Sequence, residues 1–74
     1  MVFQYNGIVG RPLLRGIWEF DYNGAQYRTH SNLDPSTNVW LTREGQRPDL
    51  ATQALFTEAI KAFRRILTDS QRNP

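Results

Sequence analysis

Ile17-Trp18-Glu19-Phe20-Asp21-Tyr22-Asn23-Gly24-Ala25-Gln26-Tyr27-Arg28-Thr29-His30 is the stretch that decides the fold. Large and polar residues alternate at period two before and after Asn23-Gly24, with Ile17 on the polar side. Asn-Gly between two alternating runs predicts a two-residue hairpin turn, because both turn positions need a positive φ. A two-residue loop fixes the register. Tyr22 then faces Ala25, Phe20 faces Tyr27 and Trp18 faces Thr29, which makes one aromatic face. Ile17, Glu19, Asp21, Gln26, Arg28 and His30 make the other, with Glu19 opposite Arg28 as a favourable cross-strand pair.

Towards the N-terminus, Phe3-Gln4-Tyr5-Asn6-Gly7 repeats the shape of Phe20-Asp21-Tyr22-Asn23-Gly24. Two readings stand: an earlier, shorter hairpin that turns Val2–Tyr5 onto Ile8-Val9, or a chance likeness between two turns. Gly10-Arg11-Pro12 and Gly16 bracket Leu13-Leu14-Arg15, and this stretch reads as a loop or irregular edge strand.

Towards the C-terminus, Ser31-Asn32-Leu33-Asp34-Pro35-Ser36-Thr37-Asn38 is turn chemistry. Val39-Trp40-Leu41-Thr42 predicts a further strand, antiparallel to residues 26–30, and Arg43–Pro48 is a polar connection. From Asp49, a candidate N-cap, the apolar period becomes helical: Leu55, Phe56, Ala59, Ile60, Ala62, Phe63, Ile66 and Leu67 form a wide stripe. The expected helix covers about residues 49–68, with a frayed tail over 69–74. An aromatic sheet face and an apolar helix face each need a cover. The expected fold is therefore one α+β domain over residues 1–74: an antiparallel meander of three to five strands within 1–43, covered on one face by a single long amphipathic helix.

Composition narrows the function classes. Nine basic residues against seven acidic ones leave a net charge of +2, and eight of the nine are arginine. Arginine suits bidentate contact with carboxylate or phosphate. The absence of cysteine excludes disulfides, thiolate metal sites and thiol catalysis. No apolar run approaches the roughly 18 residues of a membrane span, and Met1-Val2-Phe3-Gln4 has no basic region followed by an apolar run, so a cytoplasmic protein without membrane contact is expected. No phosphate loop, dinucleotide motif or calcium loop is present, so neither metal nor cofactor is expected.

Catalytic constellations are thin. His30 is the single histidine, and its neighbour Ser31 would point to the opposite strand face. Glu19 and Asp21 share a strand face, but Arg28 opposite Glu19 would keep that carboxylate ionised. A non-enzymatic protein is expected.

Trp18, Phe20, Tyr22-Asn23-Gly24 and the helix Leu55–Leu67 form a small antiparallel sheet followed by one helix. Over roughly residues 16–67 this resembles the arm-binding domains of phage-type tyrosine recombinases, as a pattern of strands rather than a motif. The resemblance implies nucleic-acid binding, with arginines on phosphates. This chain departs from those domains in charge, because Glu19 and Asp21 dilute its polar face.

Protein contact is the preferred expectation. Trp40 is either core or, if Val39 and Leu41 face the helix, an outward anchor beside Arg43. The expected contact surface is Trp40 and Arg43, with Arg28 and His30 on the same sheet side and Lys61, Arg64 and Arg65 on the helix. Arginine forks around an aromatic anchor would recognise an acidic partner. The helix stripe carries two rows, 55/59/62/66 and 56/60/63/67, and one small sheet would not cover both. The spare row would serve a second copy, giving a homodimer, unless the N-terminal segment wraps over it.

Overall fold

The structure is a computed structural model that describes residues 1–30 and 38–72, with His30, Gln71 and Arg72 described by backbone only. Asn6 and Gly7 have φ of 47° and 83°, and Asn23 and Gly24 have 50° and 77°. Both Asn-Gly pairs therefore turn hairpins through the left-handed region. Strands β1 (Phe3–Tyr5), β2 (Ile8–Pro12), β3 (Ile17–Tyr22), β4 (Ala25–His30) and β5 (Trp40–Thr42) form an antiparallel sheet in chain order. The register of β3 on β4 is the expected one, Tyr22 to Ala25, Phe20 to Tyr27 and Glu19 to Arg28. The expected pairing of β5 with β4 is also present, with Leu41 opposite Arg28 and Trp40 opposite Thr29. The turn-rich stretch expected at 31–38 lies, up to residue 37, outside the described residues.

The stretch after Gly10 refines the sequence reading. Gly10-Arg11-Pro12 completes β2, with all three residues paired to β3 and Gly10 also paired to Phe3 of β1. Only Leu13–Gly16 is irregular, and Leu13 N–H donates to Ile17 O at 2.7 Å to close that loop. Glycine inside a strand marks a close approach of another group. Here it is Phe63 of the helix: a Cβ on Gly10 would lie 2.5 Å from Phe63 Cε2 and 2.9 Å from Phe20 Cε1.

Helix α1 runs from Leu50 to Arg72. Asp49 caps it as expected: its Oδ1 accepts the Thr52 N–H at 2.8 Å, and the hydrogen bonds from Thr52 hold the carboxyl below the usual range. The tail expected to begin at residue 69 is helical through 72. Twenty-three residues span about 34 Å, whereas a six-residue strand spans about 20 Å, so the helix outruns the sheet. Thr68, Asp69 and Ser70 are accordingly exposed, and Ile66 is half exposed.

Phe56 and Phe63 are seven residues apart and so project on the same helix face. Both are fully buried, with Ala59 and Ile60 between them. Phe63 stacks on Phe3 and Trp18, with centroids 5.3 and 5.7 Å apart. Phe56 meets Phe20, Tyr22, Tyr27 and Trp40 edge-on or steeply tilted. Edge-to-face and offset pairs of this kind contribute roughly 0.5–1.5 kcal/mol each beyond the area they bury. Phe3, Tyr5 and Ile8 widen the sheet under the helix, so the N-terminal hairpin does cover part of the stripe. Leu13 and Leu14 do not join it and stay exposed.

Trp40 belongs to this core. It is 2% exposed and stacks on Phe20 at 4.2 Å. The alternation that carries Trp40 inward carries Val39 and Leu41 outward, the reverse of what an exposed anchor requires.

Candidate partner-binding face

The sheet face away from the helix is polar, and its rows follow from the register. Arg11, Glu19, Arg28 and Leu41 lie in one cross-strand row, and Val9, Asp21 and Gln26 in the next. Arg11 Nη2 lies 3.1 Å from Glu19 Oε1 and 2.7 Å from Asp21 Oδ2. Arg28 Nε lies 2.8 Å from Glu19 Oε2. Gln26 Nε2 donates to Asp21 Oδ1 at 3.2 Å. The Arg11 guanidinium, aided by Gln26, holds the Asp21 carboxyl below the ordinary carboxylate range, and Asp21 in turn raises the pKa of Arg11. Three arginines, Arg11, Arg28 and Arg43, face two carboxylates, which leaves one net positive charge among the described side chains of this face.

At the β4–β5 end the face is concave. A groove of about 440 Å³ is lined by Ile17, Val39 and Leu41, with Arg28 and Arg43 beside them. Val39 is 49% and Leu41 38% exposed, and Arg43 is exposed with no ion pair among the described residues. An apolar floor beside convergent cations can seat an apolar side chain and an anionic group together.

The predicted contact residues therefore separate. Arg28 and Arg43 meet at the groove. Trp40 lies beneath it, on the core side. His30 follows on β4 opposite Ile17, and its side chain lies outside the described residues. Lys61 and Arg65 project from the helix surface opposite Phe56 and Phe63, so they face away from the groove across both layers. Arg64 sits on the helix flank, and Lys61 Nζ lies 3.5 Å from Glu58 Oε1. The expected single surface is thus two surfaces, with the helix cations on the far one. The floor residues Ile17, Val39 and Leu41 were not among the expected contacts. Their signal was Ile17 breaking the polar side of the β3 pattern.

The described residues contain no group of three or more His, Cys, Asp or Glu able to hold a metal, and no described helix is long and apolar enough to cross a membrane. No protein-family model, curated protein or solved structure matches the chain. The likeness to recombinase arm-binding domains rests on the strand-and-helix pattern alone.

Proposed function

We propose that this protein is a small non-enzymatic binding domain that docks an acidic protein segment on the open sheet face. One observation carries the reading: an aliphatic floor, half-buried Ile17 with exposed Val39 and Leu41, flanked by Arg28 and by Arg43, which has no ion pair among the described residues. The anchor is this floor rather than Trp40. Docking uses side chains on the face and not an added strand at the β5 edge. The Thr42 N–H and C=O are already taken by Gln46 and Gly45, at 2.9 Å each. Both edge strands are also only three residues long, which limits pairing with another chain.

Nucleic acid is the weaker reading on two counts. Base stacking needs exposed aromatic rings, and every aromatic residue of the chain is buried or half-buried against the core. Phosphate binding draws on several unpaired cations, and two of the three arginines on this face are engaged by carboxylates.

Panning a random peptide display library on the immobilised domain tests the proposal. The expected outcome is enrichment of Asp or Glu beside Leu, Ile, Val or Met, with affinity falling at least about tenfold for the Arg28→Ala/Arg43→Ala double variant. Enrichment of basic peptides, equal binding to the double variant, or no enrichment would each overturn it.

A further inference from the structure

Glu19 is an unusual residue for an open sheet face. It is only 8% exposed because arginines flank it on both neighbouring strands. Its Oε1 accepts Arg11 Nε and Nη2 at 3.2 and 3.1 Å, and its Oε2 accepts Arg28 Nε at 2.8 Å. Arg11 is held through both Nε and Nη2, since its Nη2 also reaches Asp21. Arg28 is held through Nε only. A guanidinium presents a planar fork of donors, and its terminal Nη1–Nη2 edge matches a carboxylate bidentately. Glu19 holds Arg28 by Nε alone, which leaves that terminal edge without a partner among the described residues. The Arg28 side chain is 63% exposed and lines the groove beside Leu41. Without the Nε bond, so exposed a side chain would sample many rotamers, and ordering it would weaken any complex.

We infer that the groove takes a carboxylate with an apolar neighbour, bound on the terminal edge of Arg28, and that Glu19 is the positioning residue that fixes Arg28 for it. This rests on the docking reading above and specifies its chemistry. The apolar neighbour sits on Ile17, Val39 and Leu41, while Arg43 adds a second cation at the rim. A singly charged carboxylate suits the site better than a doubly charged phosphate group. Glu19 and Asp21 lie in the same and the adjacent row, and their repulsion grows with the charge of the ligand.

Two substitutions of equal charge separate positioning from simple electrostatics. Glu19→Gln and Asp21→Asn each raise the net charge of the face by one. If the carboxylates only tune the field, both variants bind an acidic probe more tightly. If Glu19 positions Arg28, Glu19→Gln binds more weakly in spite of the extra charge, while Asp21→Asn does not. The probes are acetyl-Leu-Glu-Leu-amide and its Gln counterpart, titrated in about 150 mM salt to keep long-range attraction screened. The readouts are the Arg28 Nε–Hε resonance and the amide signals of Val39 and Leu41. The wild-type protein is expected to bind the Glu peptide and not the Gln peptide, with the Arg28 signal moving. Glu19→Gln is expected to lose about tenfold in affinity, as is Arg28→Lys, which keeps the charge but removes the fork and leaves Glu19 in place. Equal binding by Glu19→Gln and Asp21→Asn, or unchanged binding by Arg28→Lys, overturns the inference while leaving the docking face intact. Failure of the Glu peptide to move Val39 or Leu41 removes the docking reading as well.

Discussion

Trp40→Ala is expected to cost about 3–5 kcal/mol of folding free energy, the range for truncating a large buried aromatic. A chain of this length has roughly 4–11 kcal/mol in total, so the variant sits close to the unfolding threshold. The cost arises from two contacts at once. Trp40 stacks on Phe20 at 4.2 Å and meets Phe56 of the helix at 5.2 Å, so its removal opens a cavity between the last strand and the helix. Urea denaturation would read the loss as a lower midpoint, and a thermal melt as a drop of more than about 10 °C. Trp40→Phe should recover most of the stability, because the buried Trp40 Nε1 has no hydrogen-bond partner among the described residues. A Trp40→Ala protein that folds like the wild type would mean that the indole is not core, and the inward–outward assignment of Val39, Trp40 and Leu41 would fall with it.

Gly10→Ala should destabilise in the same way from the opposite defect. In many loops this substitution stabilises by about 0.4–1 kcal/mol, because it restricts the unfolded chain. At position 10 the steric term is larger. The new methyl would fall 2.5 Å from Phe63 Cε2 and 2.9 Å from Phe20 Cε1. Neither ring is free to retreat: Phe63 is packed against both Phe3 and Trp18, and Phe20 is stacked on Trp40. Overpacking of a closed core costs roughly 1–3 kcal/mol, which outweighs the entropic gain. A combined Gly10→Ala/Phe63→Leu variant should lose less than the two single losses added, since each change relieves the other. Additive losses, or a Gly10→Ala variant as stable as the wild type, would show that the helix does not press on β2 at this point.

Much of this fold is legible in the chain because its strongest signals are local. Asn23-Gly24 sets the register of six residue pairs on its own, and Asp49 announces the helix by chemistry that acts within one turn. What escapes local reading depends on distant partners. Gly10 and Pro12 argue against a strand by propensity, yet β2 forms because the Phe63 ring, more than fifty positions along the chain, fills the space above Gly10. The orientation of Trp40 escapes for a different reason. A three-residue strand alternates equally well in either phase, and only its register against β4 selects one. The candidate site inherits that ambiguity. Arg28 and Arg43 can be named from the sequence, whereas the floor between them appears only once Leu41 is known to face out. The split between the groove cations and Lys61, Arg64 and Arg65 likewise follows from a two-layer packing that places helix and open face on opposite sides.

The central claim is that partner contact occurs on the open sheet face, at the groove. Amide chemical-shift mapping with the tightest peptide recovered from panning tests it most directly. The account predicts the largest shifts at Ile17, Arg28, Leu41 and Arg43, with Lys61 and Arg65 unmoved on the far side of the helix. Shifts centred on Lys61 and Arg65, with the groove residues silent, would contradict it.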